Sequence, residues 1–165
     1  MGGLDRSWEL SSSFFIFFML YFAYGSNLNH KQIKERCLDS KFMMPALLED
    51  FKFVYEGYAK KWDGSVANII KSPGDVVWGG VYDISQNDLD ALDFHEGYPG
   101  YYGRNNFKIK NNEGKVIEAI VYFKKNQEKI DLPSTSTEKQ WFKEPKTAVC
   151  RRHILKIFYF DYILV

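Results

Sequence analysis

A chain of 165 residues, 45% hydrophobic and 26% charged, has the size and composition of one globular domain with a core of its own. Its formal net charge of +1 provides no extended basic or acidic field, which argues against nucleic acid or an anionic membrane surface as the main partner. Cys37 and Cys150 lie far apart without CxxC or Cys/His spacing, so neither a disulfide framework nor a structural zinc is expected, and a reducing, cytoplasmic setting fits best.

The first apolar run, Phe14 to Ala23, is about 10 residues long, against about 20 needed to span a bilayer. Asp5, Arg6 and Glu9 precede it, which is not the basic start of a signal peptide, and no small-residue cleavage site follows. The run reads as a buried first strand. Met19 makes a natural start for the fold, with residues 1–18 an extension that the domain does not use. Residues 1–13 are expected to pack loosely, and a chain beginning at Met19 is expected to fold as well as the whole.

That strand ends abruptly in Tyr24-Gly25-Ser26-Asn27. Gly25 permits a positive φ or a close approach to a ligand. Ser26 and Asn27 begin a helical turn whose outward N–H groups suit an anion or a developing oxyanion. Asn29 with Gln32 resembles an N-cap pair, and Ile33 and Cys37 share a face, which predicts a short helix over about 29–37.

Phe51 to Tyr58 is aromatic and β-branched enough for a strand. Asp63-Gly64-Ser65 turns into a short strand at Val66 to Lys71, and Ser72-Pro73-Gly74-Asp75 turns again into Val76 to Ile84, with an irregularity expected at Gly79-Gly80. Ser85-Gln86-Asn87-Asp88 opens a helix with Leu89 and Leu92 inward. Phe107 to Lys110 and Val116 to Phe123 flank Asn111-Asn112-Glu113-Gly114 as a hairpin.

Glu96 falls where the second helix should stop, with Gly97 at C′ and Pro99 shortly after. A carboxylate there faces the negative end of the helix dipole, which raises its pKa, and Tyr98, Tyr101 and Tyr102 would raise it further by excluding water. Such a group suits general acid–base work near neutral pH. His30, His95 and His153 lack metal-ligand spacing, and Cys37 on an inward helix face reads as a core thiol. Arg104 could pair with a substrate carboxylate, but a surface charge is the safer reading. Gly79-Gly80 has no phosphate-loop context.

Taken in order, Tyr24-Gly25-Ser26-Asn27-Leu28, Arg36-Cys37, Ala67-Asn68-Ile69, Val77-Trp78-Gly79-Gly80-Val81-Tyr82, Leu92-Asp93 with Glu96-Gly97-Tyr98-Pro99, Tyr102 and Pro133-Ser134 form a series of motifs. Over about residues 19–134 the chain resembles the γ-glutamylcyclotransferase-like (AIG2-like) family. The resemblance implies an α+β fold, a small mixed β-barrel with flanking helices. It also implies a cofactor-free and metal-free reaction on a small-molecule γ-glutamyl substrate. In it, the α-amine attacks its own γ-carbonyl and releases 5-oxoproline with an amino acid or amine. Glu96 matches the catalytic Glu of the family. Tyr24, Gly25, Ser26 and Asn27 match its substrate loop, and Tyr102 and Tyr122 are the candidates for the pocket wall.

After Pro133-Ser134 the resemblance fails. Thr135-Ser136-Thr137-Glu138 follows, and the chain ends in an apolar, β-prone stretch from Ile154 to Val165. A divergent segment from 135 to 165 stands where the family helix is expected, and it should contact the core less than that helix would. Three readings of function follow. The first is an active γ-glutamylcyclotransferase. The second is a γ-glutamylamine cyclotransferase, and the third a small-molecule-binding module of the same fold with impaired turnover. The oligomeric state has no signature in the sequence.

Overall fold

The computed structural model describes residues 19–59 and 64–125. The expectations for residues 1–18 and for the segment after Thr135 therefore lie outside the described residues. Among those described, five strands and two α-helices follow in the order β1 (Met19–Ala23), α1 (His30–Arg36), β2 (Lys41–Ala59), β3 (Gly64–Ile84), α2 (Gln86–Glu96), β4 (Tyr102–Asn111) and β5 (Val116–Lys124), with a 3₁₀ turn at Ser26–Leu28. The strands close into a barrel in the order β1-β3-β2-β4-β5. Every neighbouring pair is antiparallel except β1 with β5, which meet in parallel at Tyr21 and Ile120. The sheet is thus mixed, as expected. Among the described residues, no helix is long and apolar enough to cross a membrane.

Strand alternation divides the core in two. Phe22, Leu48, Ile69, Val81, Ile109 and Val121 fill the barrel interior. Tyr21, Ala23, Tyr82, Ile84 and Tyr122 stand on the opposite face, where Leu28, Ile33, Cys37, Leu89 and Leu92 cover them. The helices are therefore held by one face of β1, β3 and β5, and that packing carries both helix ends to the same side of the barrel.

Both helices begin where the sequence predicts. Asn29 Oδ1 accepts from Gln32 N at 3.1 Å, capping α1. At α2, Ser85 Oγ accepts from Asp88 N at 3.2 Å while Asp88 Oδ2 accepts from Ser85 N at 3.3 Å, a complete capping box. Cys37 is a fully buried core thiol, and burial pushes its pKa up to about 12.

Besides β4, which begins at Tyr102 rather than near Phe107, the strands differ from expectation in three respects. The segments predicted at Val66 and Val76 are one continuous strand. Four residues, Ser72 to Asp75, bulge opposite the single residue Asp50, because the register passes directly from Glu49↔Val76 to Phe51↔Lys71. Asp50 at φ 63° and Gly74 at φ 84° take up the turn, and Gly74 N donates to Asp50 Oδ1 at 3.0 Å. Second, β2 begins at Lys41 rather than near Phe51. Pro45 and a run without β-branched residues hide its first half, yet Ala46 and Leu48 point inward with strand periodicity. Third, Gly79 and Gly80 pair regularly with Ala46 and Pro45, so no irregularity occurs there. Gly79 is required instead by close packing, since a Cβ on it would stand 2.5 Å from Phe22 Cζ and closer still to the Ala23 carbonyl.

Candidate active site

Gly25 precedes the 3₁₀ turn, whose backbone bonds are Leu28 N to Gly25 O at 3.0 Å and Asn29 N to Ser26 O at 3.2 Å. The first N–H groups of such a turn have no partner within it. Gly25 has a negative φ of −116°, so it is a close approach that restricts this position: an added Cβ would lie 3.3 Å from Ala67 Cβ.

Glu96 is the last residue of α2. Gly97 follows at φ 65°, with its N–H to Phe94 O at 3.3 Å and Tyr98 N to Asp93 O at 2.9 Å, the double bond of a Schellman stop. This end is tied to the barrel by Asp93, which accepts from Tyr122 Oη at 2.5 Å and pairs with Arg104 Nη2 at 3.1 Å. Arg104 also lies 4.7 Å from the Tyr98 ring centre. Its partner is thus a carboxylate of the protein itself.

Asn27 joins the two elements. Its Nδ2 donates to Glu96 Oε1 at 3.2 Å and to Tyr21 Oη at 2.9 Å, while its Oδ1 accepts from Arg36 Nη1 at 2.7 Å. The guanidinium fixes which way the amide faces, because arginine only donates. With its oxygen turned toward Arg36, the Gln32 amide accepts from both guanidinium nitrogens at 3.1 Å and from Ser26 Oγ at 2.9 Å. The turn, α1 and the end of α2 therefore share one hydrogen-bonded network.

Burial is the largest influence on Glu96 and raises its carboxyl pKa; Arg36 and the Asn27 hydrogen bond act in the opposite direction without cancelling it. The expected direction holds, but its surroundings differ. Tyr98 and Tyr101 are exposed, and the hydroxyls that feel the Glu96 charge are those of Tyr21, Tyr24 and Tyr102. All three are pushed up, chiefly by their own burial.

Two of these hydroxyls are committed to backbone carbonyls. Tyr24 Oη donates to Tyr122 O at 2.7 Å, and Tyr102 Oη to Ala67 O at 2.5 Å. Their rings hold the loop and the strands together. The structure thus brings Asn27, Glu96, Tyr24 and Tyr102 to one region, while Tyr122 directs its hydroxyl to Asp93. Tyr21, Gln32 and Arg36 are the site neighbours that the sequence reading missed. Arg36 follows Ile33 by three residues on a helix adjoining the turn, and that spacing was the available signal. Among the described residues, no group of three or more His, Cys, Asp or Glu could hold a metal ion.

A small closed mixed barrel with a glutamate at a helix end, hydrogen-bonded to a Gly-Ser-Asn turn, defines the class of protein. Residues 21–143 match the family described as gamma-glutamyl cyclotransferase, AIG2-like, and the chain belongs to that family. It is 40% identical over 114 residues to a gamma-glutamylcyclotransferase of Homo sapiens and 38% identical over 114 residues to one of Mus musculus. Each alignment covers 66% of this chain and 61% of the relative, so the chain spans about three-fifths of the length of these curated relatives. A solved structure of a gamma-glutamyl cyclotransferase superimposes with a TM-score of 0.72 at 30% identity, covering 89% of this chain and 82% of the other.

Proposed function

We propose that the chain cyclises a γ-glutamyl donor, releasing 5-oxoproline and the free amino acid, peptide or amine. The observation that carries this reading is the Asn27–Glu96 hydrogen bond at 3.2 Å, within a fold shared with a gamma-glutamyl cyclotransferase. Glu96 takes a proton from the α-ammonium of the donor, and the freed amine attacks the γ-carbonyl carbon. A new C–N bond closes the five-membered ring while the carbonyl oxygen gains negative charge. Collapse of that intermediate breaks the bond to the leaving nitrogen, which receives the proton from Glu96. The second proton, left on the ring nitrogen by the attack, also passes to the departing amine, so 5-oxoproline forms as the neutral lactam and the amine leaves as its ammonium. Proton movement alone balances the reaction.

The substrate supplies both nucleophile and electrophile, so the protein chiefly has to fold it and manage protons. The Gly25, Ser26 and Asn27 backbone would hold the α-carboxylate or the oxyanion. Tyr24 and Tyr102 would serve as walls through their rings, and Tyr122 as a support for α2. The buried free thiol of Cys37 is in keeping with a reducing, cytoplasmic setting.

The test is 5-oxoproline release from a panel of γ-glutamyl amino acids, peptides and amines. Release from at least one donor is expected. No release from any donor, with ligand still raising the melting temperature, would favour a binding module instead.

The pH profile gives a second check. A base must be ionised, so activity falls as pH drops through its pKa. The acid limb of kcat/KM is expected above the ordinary glutamate value of about 4.3. Asn27→Ala removes a donor that favours the charged carboxylate. The limb should then move to still higher pH, with KM raised as well. A limb that stays fixed in Asn27→Ala would separate Asn27 from the titrating group.

A further inference from the structure

Glu56 on β2 is almost completely buried, at 1% exposure, and its Oε2 has no hydrogen-bond partner among the described residues. Its Oε1 accepts from Asn68 Nδ2 at 2.7 Å. Asn68 Oδ1 in turn accepts from the backbone N–H of Lys124 at 2.9 Å, which fixes the amide with its NH₂ toward Glu56. One carboxylate oxygen is therefore held in a set orientation and the other is left with unused acceptor capacity. Leaving a buried carboxylate oxygen unpaired is costly, so an arrangement of this kind calls for a cation. Lys124 directs its ammonium over the Tyr101 ring, 5.0 Å from the centre.

Placement connects this pair with the substrate region. Phe53 and Ile69 pack into the barrel interior, so Val54, Glu56 and Asn68 take the other face. Ala67, next to Asn68, receives the Tyr102 hydroxyl and packs against Gly25 of the turn. We propose, resting on the cyclotransferase reading above, that Glu56 oriented by Asn68 forms a cation-binding subsite for a protonated amine carried on the leaving group of the donor. Glu96 attends to the glutamyl end. A second carboxylate would attract a leaving group bearing an ammonium and repel one bearing a carboxylate.

The experiment compares three donors on the parent chain: γ-glutamyl-1,4-diaminobutane, γ-glutamylpentylamine of similar length without the charge, and γ-glutamylalanine. A charge-assisted hydrogen bond predicts a preference of about tenfold or more in kcat/KM for the diamine donor over the neutral one, mostly through KM. In Glu56→Gln, which keeps the acceptor for Asn68, that ratio is expected to collapse to within about twofold. Equal use of the charged and neutral donors by the parent would overturn the subsite, and this comparison does not depend on the variant folding. A preference surviving in Glu56→Gln, or an equal loss for all three donors, would also overturn it. Binding is read separately: 1,4-diaminobutane should raise the melting temperature of the parent and not of Glu56→Gln. That shift without 5-oxoproline from any donor would support the subsite and sink the cyclotransferase reading, whereas turnover without charge preference would do the reverse.

Discussion

Glu96→Gln is expected to keep donor binding while kcat falls by about 10²–10⁴-fold, the usual contribution of a positioned acid–base group. Glutamine preserves the side-chain size and the oxygen that accepts from Asn27, so the network of Asn27, Arg36 and Tyr21 has no reason to dissolve. What disappears is the capacity to take the ammonium proton and return it to the leaving nitrogen. The loss should therefore fall in kcat, with KM moved little. Stability separates this outcome from misfolding. Burial raises the Glu96 pKa in the folded chain above its unfolded value, so the folded chain binds the proton more tightly. That contribution is full below the unfolded pKa and is lost as pH rises through the folded one. Above that folded pKa, where the carboxyl is ionised, the parent carries the cost of a buried charge that Gln does not have, so there the variant should melt no lower than the parent. Retention of most activity would remove Glu96 from the mechanism.

The largest expected loss of stability is at Gly79. An added methyl group would lie 2.5 Å from Phe22 Cζ and closer to the Ala23 carbonyl, well inside contact distance. A long surface side chain could swing aside, but a fully buried ring and a strand backbone cannot. Gly79→Ala should cost about 3 kcal/mol by overpacking, and for a domain of this size that lowers the melting temperature by roughly 6–12 °C. Gly114, at φ 84° with open space around it, offers a contrasting site, where strain of the backbone alone would be felt. A Gly79→Ala melting temperature matching that of the parent would mean that β1 and β3 are less tightly packed than the distances indicate.

Local chemistry made much of this fold legible. The Asn29 and Ser85 caps, the Gly97 stop and the turn at Asn111–Gly114 each depend on a few adjacent residues, and each lies where the sequence indicates. The long strands were harder to read because their continuity depends on partners. Ser72-Pro73-Gly74-Asp75 has the composition of a chain reversal, yet pairing with β2 on both sides carries the strand through it. Lys41 to Asp50 has little strand propensity of its own and is held by β3 and β4. At the site, Glu96 and Asn27 were each visible as residues beside turns. Their mutual bond, and the roles of Arg36 and Tyr21 in it, are products of tertiary packing across a separation of 69 residues. Arg104 shows the same limit, since its partner Asp93 is defined only once β4 lies against α2.

The parallel meeting of β1 and β5 is the seam of the barrel. Tyr21 faces Ile120 there, and the Tyr24 hydroxyl fastens the end of β1 to the Tyr122 carbonyl at 2.7 Å. A cylinder closed in this way is expected to breathe at its seam before its long antiparallel ribbon of β2 and β3 parts. The loop and glutamate lie beside that seam, so a ligand gripping both would act as a clasp. In hydrogen–deuterium exchange, amides of β1 and β5 should slow on ligand addition while those of the β2–β3 ribbon change little. Occupancy of the site and closure of the cylinder would then be two measures of one equilibrium.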